Sequence, residues 1–171
     1  YTTLFRSLIG RALDNTDQRI ADGKSVTPAF LLAALLWDAF EERRRQLEAD
    51  GMQPMDALGL AADQVIAKQV ARLAVPRRFT QVTRDIWAMQ PRLVDLSPKR
   101  ARRAFENPRF RAAYDFLKLR AEAGDAEADC AHWWTDFQDA SDAEREEMLN
   151  GLDERAAPGA PKRRRRRKRR A

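Results

Sequence analysis

The sequence predicts an all-α fold, and three observations support this prediction. Apolar residues recur at the three- and four-residue spacing of amphipathic helices through most of the 171 residues. No segment alternates apolar and polar residues over six positions, as a half-buried strand would. Proline recurs where a helix would begin, a position at which its fixed φ is favourable and its missing N–H costs nothing. The sequence therefore indicates packed helices without a sheet.

Start and stop signals divide the chain into eight predicted helices. Most starts are marked by proline, and the last by a Ser141/Glu144 capping box. Gly51 and Pro76 mark two of the ends. The second helix is apolar nearly all round as far as Trp37, so it should form the centre of the core. The predicted helices span residues 2–21, 28–50, 54–75, 77–90, 99–105, 108–124, 126–140 and 142–150.

The fourth predicted helix has two contrasting faces. Its apolar face consists of Phe79, Val82, Ile86 and Met89. Its opposite face consists of Arg77, Gln81, Arg84 and Ala88. Trp87 lies on the border between the faces, so it either packs into the core or stacks on a single-stranded base beside Arg84. We expect Arg77 and Arg84 to contact phosphates.

Length and composition indicate one helical region followed by a charged tail. We expect the helical region to cover residues 1–154 and a polybasic tail, disordered on its own, to cover residues 155–171. No apolar run approaches the roughly 18 residues of a membrane span, so we expect no membrane insertion. One cysteine and one histidine, without a secretory signal, fit a reduced cytoplasmic protein with no metal site. Because the first residue is tyrosine, we expect a fragment of a longer protein.

Charge is strongly segregated along the chain. Residues 76–120 hold twelve Lys/Arg against four Asp/Glu, whereas residues 121–161 hold two against twelve. The tail then adds nine consecutive cations, seven of them arginine. Such segregation is typical of a protein that binds a polyanion, and arginine favours bidentate phosphate contacts. The pattern predicts nucleic-acid binding, with a solvated surface, a membrane surface or an acidic protein partner as open alternatives.

Two groups of clustered cations are candidate nucleic-acid contacts. The tail should capture a phosphate backbone without reading its sequence, and its cations are Lys162, Arg163, Arg164, Arg165, Arg166, Arg167, Lys168, Arg169 and Arg170. The fifth predicted helix carries four cations within one and a half turns, which should track the backbone unless they form an ordinary solvated face. These are Lys99, Arg100, Arg102 and Arg103.

The arginines of the sixth predicted helix divide by position. Arg111 pairs at i,i+4 with Asp115 and should be an ordinary surface charge, as should Lys118. Arg120 projects between two apolar bands, so we expect it to be structural. Arg109, in the first turn, gains little from the helix dipole and is the better phosphate candidate.

Catalytic motifs are absent from the sequence. It contains no Gly-Ser pair, no Asp-x-Asp, no phosphate-binding loop and no G-x-G-x-x-G. His132 lies in an acidic segment without a nucleophile signature, and residues 122–154 indicate a solvated acidic surface rather than a two-metal pocket. From its residues alone, the chain is predicted to be a helical binding module without a cofactor, metal or catalytic residue of its own.

Four segments carry a family resemblance, in chain order: SVTPAFLLAALLW, VPRRFTQVTRDIWAMQPRL, NPRFRAAYDFLKLRAE and HWWTDFQ. Together with the Arg/Lys-rich end, they resemble the C-terminal half of bacterial poly(A) polymerases, which belong to the nucleotidyltransferase superfamily together with CCA-adding enzymes. The resemblance covers nearly the whole chain. It implies template-independent addition of AMP from ATP to RNA 3′ ends with Mg²⁺, which usually marks the RNA for decay.

The resemblance also implies a division of labour. Such enzymes hold the metals with a Gly-Ser and an Asp-x-Asp in an N-terminal head domain, and the following neck selects ATP. Neither head motif occurs here, so this chain would correspond to the helical body and C-terminal region that support RNA binding. The implied partners are RNA 3′ ends, the enzyme's own head domain and possible RNA-decay proteins. The chain alone should be inactive.

Two other interpretations stay open. The acidic segment and its paired tryptophans could form a protein-interaction module, with the basic patch incidental to function. The chain could also be a fragment of a CCA-adding enzyme, although we associate an extended polybasic end with the poly(A) enzymes.

Overall fold

The computed structural model describes residues 2–126 and 128–156, with side chains for residues 8–126 and 128–152. All regular structure in these residues is helical, which confirms the predicted fold class. The helices are α1 (Thr2–Ala21), α2 (Pro28–Ala49), α3 (Pro54–Val70), α4 (Arg77–Val94), α5 (Pro98–Phe105), α6 (Phe110–Glu122), α7 (Ala128–Asp139) and α8 (Asp142–Ala156). The predicted tail beyond Ala156 lies outside the described residues.

Helix α2 forms the centre of the first core, as predicted. Ala29, Ala33 and Ala34 have no exposed surface, and their small side chains let α3 and α4 approach closely. Towards the other end of α2, Trp37 and Phe40 are buried with their rings 5.3 Å apart. After α2, Gly51 adopts a positive φ of 92°, which confirms the predicted helix end.

A second core lies between the end of α4 and helices α5 to α8. Its aromatic centre includes Phe110, Trp134 and Phe137, with ring centroids 4.9 to 5.6 Å apart. Helices α4 and α6 contribute buried residues to both cores, so they join the two halves of the fold. The Ser141/Glu144 capping box is confirmed: the Ser141 backbone N–H donates to the Glu144 carboxylate at 2.7 Å, and the Glu144 N–H donates to Ser141 Oγ at 3.4 Å.

Polar side chains of α4 face the cores and donate to backbone carbonyls. Thr83 Oγ1 lies 3.1 Å from the Ala29 carbonyl oxygen, and Trp87 Nε1 donates to the Ala33 carbonyl at 3.2 Å. One turn further along α4, the side-chain amide of Gln90 donates to the carbonyl of Ala113 in α6 at 3.0 Å. Because each of these donors has an acceptor, burying the three side chains leaves none of them as an unpaired polar group.

Helix α4 is longer than predicted. It continues through Pro91 to Val94, whereas the sequence predicted an end near residue 90. The turn persists because Leu93 is completely buried in the second core and its carbonyl accepts the indole N–H of Trp134 at 2.9 Å. Tertiary contacts therefore outweigh the backbone hydrogen bond that proline removes.

Other helix boundaries also differ from the prediction. Helix α3 ends at Val70 rather than near residue 75, because the exposed Arg72 and Leu73 have no core to bury against. Helix α6 begins two residues late, after the side chain of Asn107 accepts the Arg109 backbone N–H at 2.8 Å. Helix α8 continues past residue 150 to Ala156, as its buried Leu152 requires.

We predict that Trp134→Phe lowers the free energy of unfolding by about 2 kcal/mol, because it removes both buried indole volume and a hydrogen bond. The measurement is urea unfolding of the chain followed by circular dichroism. Trp133→Phe is the matched control, since Trp133 is half-buried and its indole N–H makes no hydrogen bond with the described residues. If both variants lost the same free energy of unfolding, the hydrogen bond from Trp134 to the Leu93 carbonyl would not be an important source of stability.

Candidate nucleic-acid interface

Two of the predicted phosphate contacts are engaged by carboxylates. Arg84 pairs with Asp63 of α3 at 2.9 Å, and its Nε is buried without a hydrogen-bond partner among the described residues. Arg109 pairs with Asp85 of α4 at 3.4 Å and is about half exposed. Both guanidinium groups thus link helices of the fold, and any phosphate contact by them would compete with these carboxylates.

Helix α5 carries two further paired arginines. Arg100 forms an ion pair with Asp95, in the connection before α5. Arg102 binds both carboxylate oxygens of Glu146 in α8, at 2.5 and 2.6 Å. These hydrogen bonds hold the pKa of Glu146 below its ordinary value, so the ion pair persists at neutral pH and is lost as the pH falls through that lowered pKa.

Other predicted cations are exposed and make no ion pair with the described part of the chain. Arg77 lies at the start of α4, and Lys99 and Arg103 lie on α5. Adjacent residues on α5 therefore differ sharply: Arg102 is held by Glu146, whereas the charge of Arg103 is uncompensated. The two arginines differ because α8 packs against the side of α5 that carries Arg102 and not against the side that carries Arg103.

A groove of about 290 Å³ gathers three arginines at the junction of α4 and α5. Its lining consists of Met89, Arg92, Arg100, Arg103, Ala104 and Asn107, and contains no carboxylate. Arg92, like Arg103, makes no ion pair with the described residues. Such a concentration of guanidinium groups favours an anion with several oxygens, for which the planar fork of arginine is suited.

The sequence analysis missed Arg92. The prediction ended the fourth helix before Pro91, so Arg92 was left in a connection without a defined direction. Its position follows from the continued helix, which places Arg92 against the first turns of α5. The signal that could have identified it was the apolar Leu93, whose spacing from Ile86 and Met89 continues the buried face past the proline.

Trp87 is a correction to the predicted site. It is completely buried, stacks on Phe40 with ring centroids 4.5 Å apart, and donates its N–H to a backbone carbonyl. No face of the indole is available to a base. The border position on the helical wheel permitted either outcome, and the buried interpretation is the one that the structure shows.

The structural expectation for Arg120 is confirmed. The Arg120 side chain is 12% exposed, and its guanidinium pairs with Asp125 at 2.8 Å and donates to the side chain of Gln90 at 3.1 Å. It also lies 4.2 Å from the ring centroid of Trp37. The predicted Arg111–Asp115 pair is present at 3.2 Å, and burial raises the pKa of Asp115 against the opposing effect of Arg111.

The surface formed by α7 and α8 is acidic. Helices α7 and α8 expose many carboxylates and His132, and Trp133 is half-buried there. Among residues 2–126 and 128–156, no three Asp, Glu, His or Cys side chains are placed to hold a metal ion. No helix in this part of the chain combines the length and the apolar character needed to cross a membrane. The predicted cations of residues 162–170 lie outside the described residues.

These features define the class of protein: an all-helical module with a cationic α4–α5 side and an acidic α7–α8 side. A family model described as "Polymerase A arginine-rich C-terminus" matches residues 50–171. The chain therefore belongs to the family of poly(A) polymerases with an arginine-rich C-terminus.

Individual relatives agree with this family. The chain is 40% identical over 167 residues to Poly(A) polymerase I of Salmonella typhi, a match that covers 96% of this chain and 36% of that protein. It is 41% identical over 160 residues to Poly(A) polymerase I of Escherichia coli O157:H7, a match that covers 92% of this chain and 34% of that protein. It is 38% identical over 144 residues to Poly(A) polymerase I of Haemophilus influenzae, a match that covers 83% of this chain and 32% of that protein. The chain thus spans about a third of the length of these curated relatives.

Proposed function

We propose that this chain is the RNA-binding C-terminal part of a cytoplasmic bacterial poly(A) polymerase. The whole enzyme would add AMP from ATP to RNA 3′ ends without a template and so promote RNA decay. Family membership and the names of the relatives support this activity, and the charge distribution supports the RNA-binding role. ATP and Mg²⁺ would be bound by a head domain that precedes the matched region.

The groove at the α4–α5 junction is the observation that carries the RNA-binding proposal. Three guanidinium groups surround an open space without a carboxylate in its lining. Like charges placed so closely are unfavourable unless an anion joins them, and a phosphodiester supplies oxygens that arginine binds in a bidentate manner. Backbone phosphates of RNA fit this requirement without any reading of base sequence.

The outer surface of α4 extends this groove into a path. Arg77 lies about 22 Å from Arg92 along the helix axis, at 1.5 Å per residue. Arg84 lies between them; its side chain is 32% exposed and pairs with Asp63 at 2.9 Å, so a phosphate would bind its remaining N–H groups in competition with that carboxylate. A single strand could therefore follow α4 from Arg77 to the groove. Lys99 would extend the contacts along α5.

The paired arginines have a secondary role in this proposal. Arg100, Arg102 and Arg109 are each compensated by a carboxylate, so they contribute less to phosphate binding than Arg92 and Arg103. The tail of residues 162–170 would supply further, sequence-independent capture of RNA. The enzyme's head domain and RNA-decay proteins are proposed partners, for which the exposed acidic α7–α8 side offers a separate surface.

Two alternatives to this proposal make different predictions. The acidic side, with the half-buried Trp133, would suit a protein-interaction module. A CCA-adding enzyme shares the superfamily, and nucleotide choice separates it from a poly(A) polymerase. RNA titration and product sequencing distinguish the three possibilities.

Arg92→Gln and Arg103→Gln are each expected to weaken binding of a 12-nucleotide single-stranded RNA about tenfold, because each removes a charged hydrogen-bond donor. Each should also lower the slope of log affinity against log salt by about 0.7. The measurement is a fluorescence-anisotropy titration at four salt concentrations.

Arg102→Gln is the matched control for Arg103→Gln, since the residues are adjacent and change charge equally. Because Glu146 already compensates the charge of Arg102, the Arg102→Gln change should alter the salt slope by less than half as much as Arg103→Gln does. If all three variants bind like the unchanged chain, the groove is not the RNA site. If the unchanged chain binds no RNA at low salt, the protein-interaction alternative is favoured.

Deletion of residues 162–171 should reduce the salt slope by up to about 6, because nine cations would each contribute roughly 0.7 when bound to single strands. The same RNA titration measures this change. Replacement of the nine cations with serine in a chain of unchanged length controls for the loss of residues. An unchanged slope would exclude the tail from RNA binding.

We expect the 171-residue chain alone to incorporate no AMP into RNA, whereas the full-length enzyme incorporates AMP and discriminates against CMP. The reason is that the Gly-Ser and Asp-x-Asp motifs required for metal binding are absent from this chain. Sequencing of products formed with ATP and CTP together is the measurement. A product ending in CCA would favour the CCA-adding enzyme, and AMP incorporation by a pure preparation of the chain would contradict its assignment as non-catalytic.

A further inference from the structure

A second concave site lies on the first half of the fold, between α1, the connection into α2, α4 and the start of α6. The cleft has a volume of about 300 Å³. It is distinct from the α4–α5 groove, but the two are neighbours in the chain: Asn107 lines the groove, and Pro108 and Arg109 line the cleft. The short α5–α6 connection therefore separates the two sites.

The floor of the cleft is apolar. Phe30, Val82 and Ala112 pack against the first core on one side and remain partly exposed on the side that lines the cleft. The Phe30 ring meets Phe116 edge to face, with centroids 5.9 Å apart. Covering this apolar floor with a planar, weakly hydrated group would remove apolar surface from water, which is favourable.

The rim of the cleft is cationic. Arg19, Arg109 and Arg111 line it together with a single carboxylate, Asp115. Each guanidinium is positioned by a contact of its own: Arg19 donates to the Ser25 carbonyl at 3.0 and 3.2 Å, whereas the other two meet carboxylates. A guanidinium has five N–H donors, so these contacts hold the arginines in place and leave donors for an anion.

We propose that this cleft receives one unstacked base of the single-stranded RNA, with the flanking phosphates on Arg19, Arg109 and Arg111. An apolar floor beneath a cationic rim matches a nucleotide, whose planar base and anionic backbone need these two environments. Because Asn107 lines the α4–α5 groove and Arg109 lines the cleft, a strand held at the groove needs to pass only the α5–α6 connection to reach the cleft. This proposal rests on the proposed RNA-binding function.

The test compares two oligonucleotides of equal length: a 12-nucleotide RNA and an otherwise identical strand with abasic sites at every position. Both carry the same phosphates, so a purely electrostatic surface binds them equally. We expect the chain to bind the base-bearing strand at least about fivefold more tightly, the lower end of the contribution of one stacked base.

Ala112→Leu fills the floor of the cleft without changing charge. It should remove the preference for the base-bearing strand and leave the affinity for the abasic strand unchanged. Arg19→Gln should weaken both strands, and Arg72→Gln, an exposed charge change outside the cleft, should leave the base preference intact. Equal affinity of the unchanged chain for both strands, or a full base preference in the Ala112→Leu variant, would overturn the inference.

Photocrosslinking gives a measurement that does not depend on a substituted protein. A strand with 5-iodouridine at one position after another should crosslink to Phe30 or to the segments that line the cleft, and crosslinks confined to other segments would also overturn the inference. The proposed function fails separately: if neither strand binds even at low salt, the RNA-binding role itself is wrong.

Discussion

The position of α4 depends on side-chain donors that reach the carbonyls of α2. Thr83 and Trp87 lie one turn apart, and their acceptors, the carbonyls of Ala29 and Ala33, are also one turn apart. Such contacts require closely packed helices, which the fully buried alanines of α2 permit. If α4 were displaced so that the Trp87 indole N–H lost the Ala33 carbonyl, a buried donor would be left without a partner, at a cost of about 1–3 kcal/mol. The register of α4 on α2 is thus strongly specified.

The charged surface follows from this register. Because Thr83 and Trp87 face inward, helical periodicity turns Arg92 to the opposite side of α4 and Arg84 to its flank, where it meets Asp63 of α3. The end of α4 is held independently by the contact between Trp134 and the carbonyl of Leu93. Both halves of the fold therefore contribute to the orientation of the α4–α5 groove.

The sequence predicted the helices well because their start signals and apolar spacing are local. It predicted the structural role of Arg120 for the same reason, since that residue interrupts an apolar face on its own helix. It did not reveal that Thr83 and Gln90 are buried, because their hydrogen-bond acceptors lie on other helices. It missed Arg92 because tertiary contacts continue α4 past Pro91. Periodicity within one helix could not predict contacts between residues that are far apart in the sequence.

Ion pairing leaves only some cations of the basic surface uncompensated. The α4–α5 region concentrates positive charge that would be self-repelling if every cation were free. Carboxylates compensate Arg100 and Arg102, and these contacts also join α5 to the preceding connection and to α8. The fold thereby reduces the repulsion around Arg92 and Arg103 without neutralising them. A basic surface built in this way keeps a few uncompensated cations at defined positions, as the proposed phosphate contacts require.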